Sequence, residues 1–144
     1  MSQAAVERNQ LTDNVSMTNH VVIVDDDELV RQALESVVKA AGFTTETFGS
    51  AEDFLDSIPM NNTACLILDV RLPGMSGIEL QRRLRAKKSG MPIIFVTAHG
   101  DLSTCDRAME DGAASFLNKP VRRQTLLDAI YAALERGQPG ESSR

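Results

Sequence analysis

Residues 20–42 read HVVIVDDDELVRQALESVVKAAG. Five residues open it, four of them β-branched and apolar, the composition of a strand buried on both faces of a parallel sheet. Four acidic residues follow. Then Val30, Ala33, Leu34, Val37, Val38 and Ala41 recur at helical spacing, with Arg31, Gln32, Glu35 and Lys39 on the opposite face and Gly42 as a C-terminal stop. One strand, one acidic turn and one amphipathic helix are thus predicted in 23 residues. The same alternation continues downstream. Further apolar runs lie at 43-FTTETF-48, 64-ACLILD-69, 92-PIIFVT-97 and 115-SFLN-118. In the run at 43–48, Phe43, Thr45 and Thr47 alternate with Thr44, Glu46 and Phe48, which suits a sheet edge. Between the runs, Ser50 caps a helix reaching about Ile58, and Ser76 with Glu79 forms a capping box for the third. Asp101 caps a fourth that Gly112 ends, and 121–136 carry Leu127, Ile130 and Leu134 on one stripe. The pattern predicts an α/β fold: a doubly wound, five-stranded parallel sheet with five helices. Right-handed crossovers favour the strand order 2-1-3-4-5.

The length of 144 residues fits one domain with its own core. Residues 1–19 are polar and aperiodic and are expected to be a disordered arm, with the domain over 20–136 and a tail at 137–144. No apolar run reaches the roughly 18 residues of a membrane span, and the N-terminus lacks the pattern of a secretory signal. Cys65 and Cys105 have no partner spacing, so they are expected to be reduced thiols of a cytoplasmic protein.

In the order 2-1-3-4-5 the crevice lies beyond the C-terminal ends of strands 1 and 3, with 4 and 5 on the same side. Strand 1 ends in Asp25-Asp26, strand 3 in Asp69, strand 4 in Thr97 and strand 5 in Asn118-Lys119. Strand 2, outside the crevice, ends in Phe48-Gly49. Chemically useful side chains therefore fall where a site can form. Three adjacent carboxylates repel one another unless a cation intervenes. An all-oxygen set without His or Cys favours Mg²⁺ over zinc. A divalent cation and Lys119 together neutralise the three aspartates, leaving a pocket able to take a phosphoryl group with Thr97 as a further donor. A carboxylate is itself a competent phosphoryl acceptor.

At these residues the sequence resembles the CheY-like receiver domains of two-component response regulators. The matching motifs are VVIVDDDELVR (21–31), LILDVRLPGMSG (66–77), FVTAHGD (95–101) and SFLNKP (115–120), and the last two look most like the FixJ-type branch. The resemblance implies a flavodoxin-like fold with the receiver over 20–136. It implies that Asp69 is the phosphoacceptor for a phosphohistidine on a sensor histidine kinase or phosphotransfer protein. Mg²⁺ would be held by Asp25, Asp26, Asp69 and the backbone carbonyl of Arg71. Thr97 and Phe116 would switch on phosphorylation, and Lys119 would pair with the phosphate ahead of a cis peptide to Pro120. Arg71 and His99 would tune hydrolysis from the rim. The implied partners also include a downstream protein at the face of helix 4, strand 5 and helix 5, and a second phosphorylated copy of the chain. FixJ-type members carry a C-terminal DNA-binding domain. Only GQPGESSR follows the last helix here, so the chain is expected to be a single-domain regulator or the receiver part of a transcriptional regulator, with no direct nucleic-acid binding.

Other residues have plainer explanations. Asp27 and Glu28 suit the first turn of a helix, His20 stands at a strand entrance, and the basic runs 82–88 and 122–123 suit solvated helix faces. The alternative function is a haloacid-dehalogenase-type aspartyl-phosphate phosphatase. That family needs a second Asp two residues after its nucleophile, where this chain has Arg71. A flavin carrier fits less well still, for there is no Trp and one Tyr. The net charge of −5 first argues against a nucleic-acid surface. Setting aside Asp25, Asp26, Asp27, Glu28 and Asp69 leaves 15 acidic residues against 15 basic ones. The excess is therefore that of one pocket and its rim.

Overall fold

Each strand of the fold is followed by a helix. In a computed structural model, which describes residues 19–57, 63–98 and 102–136, the order is β1 (His20–Val24), α1 (Glu28–Ala40), β2 (Thr44–Phe48), α2 (Ala51–Ser57), β3 (Cys65–Leu68), α3 (Gly77–Ala86), β4 (Ile93–Thr97), α4 (Leu102–Glu110), β5 (Ser115–Asn118) and α5 (Arg123–Arg136). All pairings are parallel and the sheet order is β2-β1-β3-β4-β5. The expected arm, tail, Ile58 helix end and Asp101 cap lie wholly or mainly outside the described residues.

Side chains alternate across a strand, so one apolar run serves two cores. Val21 and Ile23 of β1, Cys65 and Ile67 of β3 and Ile94 and Val96 of β4 pack with Leu34 and Val38 of α1 and Leu126 and Ile130 of α5. The alternate residues Val22, Val24, Leu66, Leu68, Ile93 and Phe95 pack with Phe54 of α2, Leu80 and Leu84 of α3 and Ala108 of α4. Two helices thus cover one face and three the other. β2 is an edge, and its Thr44 and Glu46 take the ring nitrogens of His20 at 2.8 and 3.4 Å, which gives that histidine a structural role.

Local signals mark several helix ends. Asp27 is the N-cap of α1, its Oδ1 accepting from Leu29 and Val30 N–H at 3.0 and 3.2 Å. Gly42, at φ +101°, takes the left-handed conformation that ends this helix. Ser76 caps α3 through Glu79 N–H at 3.1 Å, but the capping box is only half formed. The Glu79 carboxylate turns instead to Arg83, one helical turn on, at 3.1 Å. One expectation fails: Ala33 is exposed rather than part of the buried stripe of α1. The stripe narrows to Leu34 and Val38, flanked by half-buried Val30 and Val37.

The two thiols differ in environment. Cys65 is fully buried, and desolvation pushes its thiol up to about 12, whereas Cys105 on α4 is partly exposed. A thiol-reactive disulfide reagent at pH 8 is expected to modify Cys105 alone in the folded protein, because the thiolate is the nucleophile and needs access. Cys65 should react only after denaturation, and two fast native thiols per chain would contradict this packing.

Candidate functional site

The C-terminal edge of the sheet is extended one residue past its strands by backbone hydrogen bonds. Asp25 N–H donates to Phe48 O at 3.1 Å, Asp69 N–H to Val24 O at 3.0 Å, and Lys119 N–H to Thr97 O at 2.8 Å. These bonds fix Asp25, Asp69 and Lys119 on one rim. Each of the two aspartates then divides its oxygens in the same way. Oδ1 accepts a backbone N–H two residues on, from Asp27 at 2.9 Å and from Arg71 at 3.1 Å. Oδ2 of each faces Lys119 Nζ, at 2.7 Å for Asp25 and 2.8 Å for Asp69. Short side chains bonding their own turn are what Asp does well, and here the turn leaves the second oxygen to the pocket.

Asp26 completes the acidic set. One carboxylate oxygen from each of Asp25, Asp26 and Asp69 lies within 4.8 Å of the others, with Asp25 and Asp69 buried and Asp26 exposed. Burial pushes the Asp25 carboxyl above its usual value, and the neighbouring Asp69 charge acts the same way against Lys119 and the Asp27 N–H. Burial pulls the Lys119 ammonium down, yet its bonds and charges from the two aspartates outweigh this and hold it above the ordinary lysine value. One lysine against three carboxylates leaves the pocket about two charges negative. That deficit, with an all-oxygen donor set, fits a hard divalent cation of the Mg²⁺ kind.

Thr97 is buried at the end of β4 and pairs in register with Asn118, next to Lys119. Phe116 is half-buried on β5, its ring centroid 5.9 Å from that of Phe95. The Lys119–Pro120 peptide is cis. Arg71 is exposed on the rim, and His99 lies outside the described residues. Asp27 and Glu28 belong to the start of α1.

Two contacts have no signal in the sequence. Arg31 Nη1 donates to the Asp25 carbonyl oxygen at 2.6 Å, so a residue placed on the solvated face by periodicity instead ties α1 to the acidic turn. Glu52 Oε2 accepts Met75 N–H at 2.8 Å, which clamps the loop after Asp69 onto α2 and holds that carboxyl below its usual range. Both join segments far apart in the chain or reach backward over a turn, and periodicity is blind to either.

The parallel sheet of this order thus carries an aspartate triad and a lysine together on its C-terminal edge, where open α/β sheets form their sites. The chain belongs to the response regulator receiver domain family, whose profile matches residues 21–131. Nodulation protein W of Bradyrhizobium diazoefficiens is 47% identical over 116 residues, covering 81% of this chain and 51% of that protein. Transcriptional regulatory protein FixJ of the same organism is 38% identical over 124 residues, covering 86% and 60%. The solved structure of response regulator StyR superposes with a TM-score of 0.79 at 47% identity, covering 87% of this chain and 63% of that one. The chain spans about half the length of the curated relatives it matches. Receiver domains are signalling switches that pair with histidine kinases and bind Mg²⁺ at an aspartate cluster, which sets aside the phosphatase alternative. No helix among the described residues is long and apolar enough to cross a membrane.

Proposed function

We propose that this receiver domain accepts a phosphoryl group on Asp69 in a two-component pathway. The observation that carries the reading is Lys119 Nζ set between Asp25 Oδ2 and Asp69 Oδ2 at 2.7 and 2.8 Å, inside a pocket still two charges negative. Asp25, Asp26, Asp69 and the Arg71 carbonyl would hold Mg²⁺, which when bound neutralises carboxylate and phosphoryl oxygen charge. A carboxylate oxygen of Asp69 attacks phosphorus, the P–N bond to the donor imidazole breaks, and the electron pair stays on that nitrogen. Lys119 gives up its bond to Asp69 Oδ2 and pairs with a phosphoryl oxygen. The Thr97 hydroxyl donates to another.

Inward movement of Thr97 would vacate space beside β5 for Phe116, and this couples the pocket to the face of α4, β5 and α5. α4 leaves Leu102 and Met109 exposed, which suits a protein contact there. The downstream partner is placed on this face, as is a second copy of the phosphorylated chain. The resemblance to a transcriptional regulatory protein supports a role for the domain in controlling such a regulator.

Acetyl phosphate with Mg²⁺ is expected to add the mass of one phosphoryl group, on the peptide that contains Asp69, and omission of Mg²⁺ should prevent it. Sustained turnover of p-nitrophenyl phosphate, or an adduct on another peptide, would sink the reading.

A further inference from the structure

A second cavity opens beside the acidic pocket, between the loop after β3, α3 and α4. It measures about 670 Å³ and is lined by Arg71, Arg82 and Arg107 together with Ser76, Ser103 and Thr104. That volume lies within the range of small-molecule sites. Its charge is unusual for a chain of net charge −5. Arg83 pairs with Glu79 and Arg85 with Asp111, but none of the three lining arginines forms an ion pair with a described residue. Among the described lining residues the one carboxylate is that of Glu79, which Arg83 already engages at 3.1 Å. Arg71, Arg82 and Arg107 are all exposed and bring three positive charges to one wall, so an anion with more than one charge can engage more than one of them. Guanidinium is also the group best matched to carboxylate and phosphate by its planar pair of donors.

We propose that this cavity binds a small organic polyanion carrying two or more carboxylate or phosphate groups. The site is separate from the phosphoacceptor but shares a residue with it. Arg71 donates its backbone N–H to Asp69 Oδ1 at 3.1 Å and is also a lining residue of the cavity. Ser103 and Thr104 of α4 and Ser76, the N-cap of α3, are further polar residues of the wall.

The test is a nitrogen-detected NMR titration of the 144-residue chain without Mg²⁺. Propane-1,2,3-tricarboxylate and glucose 6-phosphate serve as probes, with the triamide of the former as a neutral control. The buffer holds about 0.15 M NaCl, where a diffuse ion atmosphere is screened beyond about 8 Å. At least one anionic probe is expected to give saturable shifts at Arg71, Arg82 and Arg107, with a Kd below about 1 mM. Which of the two binds assigns the preferred anion. The double variant Arg82→Gln/Arg107→Gln should weaken that binding at least about tenfold. It should still melt cooperatively and still label with acetyl phosphate, since neither residue touches the acidic pocket. Asp69→Asn should bind the probe as wild type does, so failure of the phosphoacceptor reading would leave this one standing. No saturable shift with either anion, equal shifts with the triamide, or unchanged binding in the double variant would overturn it.

Discussion

Asp69→Asn is expected to lower labelling by acetyl phosphate and Mg²⁺ at least about 100-fold while leaving the fold intact. The amide oxygen carries no full charge and is a poor nucleophile, so the acceptor is lost at a single atom. The structural cost is small. An asparagine Oδ1 can still accept the Arg71 N–H that meets Asp69 at 3.1 Å, and Lys119 keeps its partner Asp25 at 2.7 Å. Removing one of three mutually repelling carboxylates also relieves part of the upward push on Asp25. Melting is therefore expected to be cooperative and no lower than in wild type, measured without Mg²⁺. Intact-mass spectrometry reads the labelling. A variant that still gains one phosphoryl group at the wild-type rate would show that the acceptor is another residue.

Gly77→Ala is expected to destabilise the protein by about 2–4 kcal/mol and to slow labelling at least about tenfold. Gly77 opens α3 and lies directly against the backbone of the acceptor segment. A β-carbon there would overlap the Asp69 carbonyl oxygen and come within 3.0 Å of the Asp69 carbonyl carbon and 3.1 Å of Val70 Cα. These are backbone atoms of a buried strand end, so no side chain can swing aside. Alanine gains up to about 1 kcal/mol of helix propensity over glycine, which is smaller than the overlap. To relieve the contact, α3 must draw back from β3, breaking the Gly77 N–H bond to Val70 O at 2.9 Å and displacing Asp69 relative to Lys119. A thermal melt should show a fall of roughly 8–16 °C. A shift under about 2 °C would mean that α3 does not pack on the acceptor strand this closely.

The arrangement explains why an isolated strong acid cluster persists at a sheet edge. Asp25 and Asp69 are buried, and two buried carboxylates without partners would be costly. Each is satisfied by its own turn through Oδ1 and by one shared ammonium through Oδ2. The lysine stands for only part of the missing positive charge, which leaves the pocket in need of a cation. Removing Lys119 therefore affects both aspartates at once, and the three groups act as one unit.

Much of this was legible before any coordinates. Five apolar runs separated by amphipathic stretches set the order of elements, because a strand between two helix layers must be apolar on both faces and a helix between strand ends must be apolar on one. Handedness then limited the winding, and with the winding came the prediction that the ends of strands 1, 3, 4 and 5 converge. Asp25, Asp26, Asp69, Thr97 and Lys119 could be named from that alone. Ala33 was misplaced because periodicity gives the width of a stripe only to within a residue. Distance from the sheet decides which flank is covered.

What the sequence could not determine were contacts between segments that share no period. Arg31 looks like any residue on a solvated helix face, yet the angle at which α1 leaves the acidic turn brings its guanidinium onto the Asp25 carbonyl. Glu52 clamps a loop more than twenty residues away. Gly77 is ordinary as a first helical residue and becomes indispensable only because α3 is laid on the backbone of Asp69. The basic residues of 82–88 and Arg107 belong to different helices, and only the packing of α3 beside α4 gathers Arg82 and Arg107 with Arg71 around one cavity. Hydrophobic pattern is local and fixes which elements form and which faces they bury. The directions of long polar side chains depend on the distances and angles between packed elements, and these exist only in the folded chain.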